Sequence, residues 1–258
     1  AGRPPTSRLL LFRWIKEGVN SLLPVAQVGG DVIRTRLLIQ RRVEPSAAIA
    51  GSVVDVAVGT ASLFIYLLLG LGLLALAPQK GMTGALVLRA VAVTAAAALL
   101  VAAAPRLRVM KLVDGAITRL SRRTAAAEGQ DPARLHDVIV GLYRRPRMIW
   151  ACTAWHLAAW LLGSAEAFVT LSVLGLRPSW TQAFLVDSLG QGFRAAGFLI
   201  PGALGVQEGG LIVIFAMFGL PADQALAFST IRRLREILLG MPALGAWGAV
   251  ESRVRRAM

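Results

Sequence analysis

Two carboxylates stand seven residues after a proline, Asp31 after Pro24 and Glu208 after Pro201, and both pairs lie between apolar segments. A proline removes a backbone donor, the glycines alongside (Gly29, Gly30, Gly202, Gly205, Gly209, Gly210) loosen the helix, and an acid at membrane depth needs a partner or water. Broken helices that carry charge inside a bilayer mark transport paths.

More charge collects near these motifs. Asp187, Gln191 and Arg194 fall at i, i+4 and i+7, on one helical face, where they either line a polar cavity or neutralise one another or a neighbouring helix. Arg232 and Glu236 are four apart and placed to pair, while Arg233 and Arg235 point elsewhere and require an acid, a headgroup or water. An arginine fork suits phosphate. The run begins ten residues into an apolar segment, too deep for snorkelling alone to account for Arg232. Asp55 sits early in its own apolar run and, with Asp31 and Glu208, closes the constellation. Residue type and spacing leave two roles open, a structural ion network or a site that handles protons or a headgroup.

Metal chemistry is not expected. His156 and Glu166, ten apart, share no helical face, and no further histidine or cysteine is read at a metal-ligand spacing, so neither a metal nor a cofactor is assigned. The tryptophans (Trp150, Trp155, Trp160, Trp180, Trp247) read as interfacial anchors or packing residues.

The elements that must position these residues follow from composition. With 56% hydrophobic and 16% charged residues and a mean hydropathy of +0.63, the chain has too little polar surface to cover a water-soluble globule. An all-α, polytopic membrane protein is expected, as a single domain over residues 1–258. The net charge of +14 lies between apolar spans, where cytoplasmic loops and anionic headgroups place it, which argues against nucleic acid as a partner. The one cysteine, Cys152, permits no intramolecular disulfide.

A span needs roughly 20 apolar residues, and 47–76 and 85–104 both qualify, joined by a turn at 78–84. Residues 105–148 hold ten Lys or Arg against four acids and read as a cytoplasmic basic loop. Residues 149–176 cross outward, 181–200 return as a polar-studded helix, 211–220 lead out, and 222–247 cross back to leave the arginine tail in the cytoplasm. Arg34, Arg36, Arg41 and Arg42 belong on that side too. No initiator methionine or signal peptide opens the chain, and Ala1 to Arg8 reads as the middle of a loop, so upstream spans are expected.

The two motifs share one ungapped offset of 177 residues, which relates Pro24 to Pro201, Asp31 to Glu208 and Asp55 to Arg232. Leu22, Ala26, Ala48, Ala50 and Ser52 meet identical residues at that offset. Charge bias points the copies in opposite directions, so the expectation is an inverted repeat, 9–104 and 149–250, of two half-spanning re-entrant motifs.

Asn20, Pro24, Gly30 with Asp31, Asp55, the run Pro201-Gly-Ala-Leu-Gly-Val-Gln-Glu208-Gly-Gly and Arg232-Arg-Leu-Arg-Glu236 together resemble the lysylphosphatidylglycerol synthase transmembrane, or flippase-like, family. Asp187-Ser-Leu-Gly-Gln-Gly-Phe-Arg194 through Trp247 is similar to its hopanoid-biosynthesis-associated HpnL type. The resemblance implies a polytopic bacterial inner-membrane domain associated with moving lipids between leaflets, which in the family's best-understood members precedes a soluble aminoacyl-transferase domain; for this chain the expectation is no enzyme. The expectation is a lipid headgroup, of hopanoid or phospholipid, in a cavity built from Asn20, Pro24, Asp31, Asp55, Asp187, Gln191, Arg194, Pro201, Glu208, Arg232, Arg235 and Glu236, with hopanoid-biosynthesis proteins as expected further partners. The rival expectations are a noncatalytic scaffold of hopanoid synthesis and a membrane-embedded enzyme that modifies an isoprenoid lipid with Glu208 or Asp187 as base.

Overall fold

The computed structural model describes residues 4–23, 29–76, 132–197, 200 and 203–256. Eight helices make up the described part: α1 (Thr6–Leu22), α2 (Gly29–Gln40), α3 (Pro45–Leu76), α4 (Pro132–Tyr143), α5 (Pro146–Val173), α6 (Trp180–Ala196), α7 (Val206–Met217) and α8 (Ala222–Arg256). Pro24, Pro201, the expected span 85–104 with its preceding turn, and the basic stretch 105–131 lie outside the described residues.

Local chemistry sets the helix ends. Pro146 opens α5 at its first turn, where its missing N–H has no partner to lose and its φ is already helical. Ser179 and Gln182 form a reciprocal capping box at the start of α6, with side chain to backbone distances of 3.1 and 2.9 Å. Gly205, at φ 82°, starts α7 in a conformation that a side chain disfavours. Pro221 follows the end of α7, and the next helix begins at Ala222.

Among the described residues, only α3 and α5 are long and apolar enough to cross a membrane by length and composition. The pairs α1/α2 and α6/α7 each consist of a 17-residue and a 12-residue helix, and at 1.5 Å per residue the shorter helix reaches about 18 Å, too little to cross the hydrocarbon layer. The bounds of α2 and α7 (29 and 206, 40 and 217) and the starts of α3 and α8 (45 and 222) are each 177 residues apart.

Packing follows the same exchange. Helix α1 packs on α2 and α8, and α6 packs on α7 and α3, while α2 meets α3 and α7 meets α8. Small residues bring the two long-range crossings close together. A Cβ on Gly18 of α1 would lie 2.6 Å from that of Ala243 on α8, and one on Gly70 of α3 would lie 2.9 Å from that of Ser188 on α6. Three apolar clusters fill the interior, one around Phe215 and Phe228 between α5, α6, α7 and α8, one around Val54 and Ile139 between α3 and α4, and one around Phe12 and Leu37 between α1, α2 and α3. The outer surface carries Trp155 at 78%, Trp150 at 71% and Leu162 at 71% exposure, among many other apolar side chains. That surface suits hydrocarbon rather than water.

Several boundaries differ from expectation. Helix α4 occupies part of the stretch expected as a loop, because Leu135, Val138, Ile139 and Leu142 form an apolar stripe at helical spacing that packs against α3. Helix α7 begins at Val206, five residues before the expected 211, and α8 runs to Arg256, well beyond 247.

Candidate functional site

Two charged clusters tie the helices together. In the first, Asp55 on α3 collects partners from three other helices: Arg34 Nη1 of α2 at 2.6 Å, Lys16 Nζ of α1 at 3.2 Å and His156 Nε2 of α5 at 3.1 Å. Lys16 also reaches Asp31 at 2.8 Å, so α1, α2, α3 and α5 are tied through two carboxylates. Asp31 and Lys16 are buried, where a charge persists only if it is compensated.

Cys152 and His156 stand four apart on α5 and both face Asp55, their ligand atoms and a carboxylate oxygen lying within 4.8 Å of one another. The expectation that no metal-ligand spacing exists overlooked this i, i+4 pair. Asp55 already carries Lys16 and Arg34, so the trio is part of an ion-pair cluster whose positive charges oppose an added cation.

The second cluster centres on Asp187 of α6, which has no exposure at all. Arg232 of α8 pairs with it, Tyr66 of α3 donates to it at 2.7 Å, and Gln191 Nε2 lies 3.5 Å away. The Tyr66 hydroxyl also meets Ser164 of α5 at 2.5 Å, and the Arg232 guanidinium sits 5.1 Å from the centre of the Phe228 ring. The pairing expected between Arg232 and Glu236 is replaced by this contact, because a fully buried aspartate leaves the arginine fork a desolvated carboxylate that outcompetes its own helical neighbour.

Glu236 instead binds Arg194, with Arg233 at 3.8 Å, and Arg235 binds Glu166 of α5. Glu208 accepts from the backbone N–H of Gly205 at 2.7 Å, from Ser229 at 3.2 Å and from Arg233 at 3.0 Å. It both caps α7, where the helix dipole favours negative charge, and ties α7 to α8.

A cavity of about 570 Å³, which Gln191 shares with the second cluster, is walled by α1, α3, α5, α6 and α8 and lined by Trp14, Glu17, Gly18, Asn20, Ser21, Leu63, Trp160, Gln191, Arg194, Ala195, Arg235, Glu236, Leu239 and Gly240. Its size is that of a small-molecule site. Of the residues expected in a common cavity, Asn20, Gln191, Arg194, Arg235 and Glu236 line it, while Asp31, Asp55, Asp187, Glu208 and Arg232 sit in the ion-pair clusters outside that lining. Pro24 and Pro201 lie outside the described residues. Asn20 also orders the backbone, since its Oδ1 accepts the N–H of Gly30 at 2.8 Å and so fixes the start of α2 against α1.

Sequence reasoning missed Trp14, Glu17 and Trp160 in the lining, and Lys16, Tyr66 and Ser164 in the clusters. The 177-residue offset was the available signal for part of this, since it relates Trp14 to Gln191 and Glu17 to Arg194.

An apolar exterior, two helices of spanning length and charges paired between helices suit a membrane environment. The chain belongs to the family of the lysylphosphatidylglycerol synthase TM region, whose profile matches residues 1–243. Comparison with curated proteins and with solved structures gives no match. The protein is thus a membrane protein of a lipid-associated family.

Proposed function

We propose that the chain is a lipid transporter of the flippase type, in which two inverted repeats enclose a cavity that accepts a lipid headgroup while the tails stay in the bilayer. One observation carries this reading. Four pairs of lining residues, Trp14 and Gln191, Glu17 and Arg194, Gly18 and Ala195, Leu63 and Gly240, are each separated by the 177 residues that relate the two proline motifs. Related surfaces of two half-molecules therefore face one space, the arrangement alternating access requires. The matched bounds of α2 and α7 and the exchange of α1 and α6 between halves support the same repeat.

The re-entrant pairs α1/α2 and α6/α7 supply the moving parts, and the ion-pair clusters hold each pair to its long helix. The arginine-rich stretch 105–148 and the arginine-rich C-terminus support a cytoplasmic side for both, in a bacterial inner membrane. Hopanoids belong among the lipids to test, on the strength of the HpnL-type resemblance. A scaffold is the second reading, favoured by the mutual neutralisation of both clusters. The same neutralisation disfavours an enzyme, since Asp187 and Glu208 are each held by an arginine rather than free to act as a base.

Leaflet-resolved movement of labelled phospholipid and hopanoid in proteoliposomes tests this. Wild-type protein accelerates movement of at least one lipid, and Arg194→Gln and Gln191→Leu each reduce it about tenfold or more. Folded protein that moves none of them is a scaffold instead.

A further inference from the structure

We infer that the cavity is built for a zwitterionic headgroup, one phosphate and one ammonium group, rather than for an anionic one; this inference rests on the headgroup-binding reading above. Repeat-related positions on opposite walls carry opposite charges, Glu17 on α1 and Arg194 on α6. Among the four related pairs in the lining, this is the one whose members carry opposite charge.

The charge balance of the lining decides the class. Arg194 is offset by Glu236, and Arg235 by Glu166, so each arginine contributes unspent N–H donors without adding net positive charge. Glu17, an exposed residue on the cavity's α1 wall, makes no hydrogen bond or ion pair among the described residues, and it stands one helical turn from Trp14. A phosphate bridged by Arg194 and Arg235 puts a negative charge into a lining that already holds an unpaired carboxylate. A ligand that brings its own cation offers Glu17 a partner at the same time.

An ammonium group does so by charge, and the indoles of Trp14 and Trp160 in the lining, the latter with one face stacked on Tyr66, add an attraction for cations that an anionic glycerol headgroup cannot use. Trp14 is held in place on the α8 side, its Nε1 donating to the Leu239 carbonyl oxygen at 3.1 Å. The α1 wall thus presents an acid and an indole, and the facing walls present two arginines.

Calorimetry on the purified full chain in detergent, with dihexanoyl phosphatidylethanolamine and dihexanoyl phosphatidylglycerol as probes, tests the assignment. The expected result is roughly tenfold tighter binding of the ethanolamine lipid, the effect of one additional charge-assisted contact. Glu17→Gln removes that preference, and Glu17→Asp, which keeps the carboxylate, retains it. Equal or tighter binding of phosphatidylglycerol by wild type, or an unchanged preference in Glu17→Gln, overturns the inference.

Soluble phosphoethanolamine is the third probe. Displacement of the lipid by it supports recognition of the charges alone, and a Glu17-dependent lipid preference that it cannot displace supports recognition of those charges on a lipid. Binding is read here without transport. A zwitterion preference in a protein that moves no lipid upholds this inference and sinks the transporter, whereas movement without the preference does the reverse.

Discussion

At the scale of residues, Asp187 shows how the clusters work. Its carboxylate accepts from Arg232, Tyr66 and Gln191 in a place that water does not reach. Replacing it by Asn leaves Arg232 buried without a counter-charge, and the expected loss is about 3–5 kcal/mol of stability, read from unfolding in detergent. Tyr66→Phe, which removes one hydrogen bond to a charged acceptor, costs about 1.5–3 kcal/mol in the same assay. Asp187→Asn combined with Arg232→Met recovers most of the loss if the pair is structural, because the uncompensated charge is gone. The shared face of Asp187, Gln191 and Arg194 was legible from spacing within one helix. The bond from Asp187 to Arg232 was not, since it depends on how α6 and α8 cross. Cys152 and His156 were equally legible at four residues apart, yet only the position of Asp55 on another helix shows what they face.

At the scale of elements, the same division holds. Apolar runs gave α3 and α5 within a few residues, because a long hydrophobic stretch leaves few alternatives. Helix α4 was hidden, since the arginines around it weighed more in the reading than its stripe of Leu135, Val138, Ile139 and Leu142. The crossing of α1 and α8 depends on Gly18, where any side chain meets Ala243 and the Gly240 carbonyl. Gly18→Leu forces these helices apart, and the expected outcome is a sharp fall in the folded fraction by size-exclusion chromatography, with Ala195→Leu on the related wall better tolerated. At the entrance to α6, Ser179→Ala removes half of the capping box and lowers stability by about 1 kcal/mol.

At the scale of the whole molecule, the membrane class was legible from composition alone, while the cavity was not, because its lining is drawn from five helices. Orientation is a matter of charge bias. In a Cys152→Ser background, cysteines at Arg144 and Ser252, both exposed, react with an impermeant reagent from the same side of sealed vesicles; labelling from opposite sides contradicts the assigned topology. The contact between α1 and α8 joins the first described helix to the last. During synthesis at about 5–20 residues per second, α1 emerges roughly 10–40 seconds before the start of α8. Throughout that interval Lys16 can already meet Asp31 and Asp55, but Glu17 and Gly18 lack the α8 wall they face, so insertion of α1 and α2 stays provisional until the last helix arrives, and a stall late in translation leaves that pair exposed to membrane proteases.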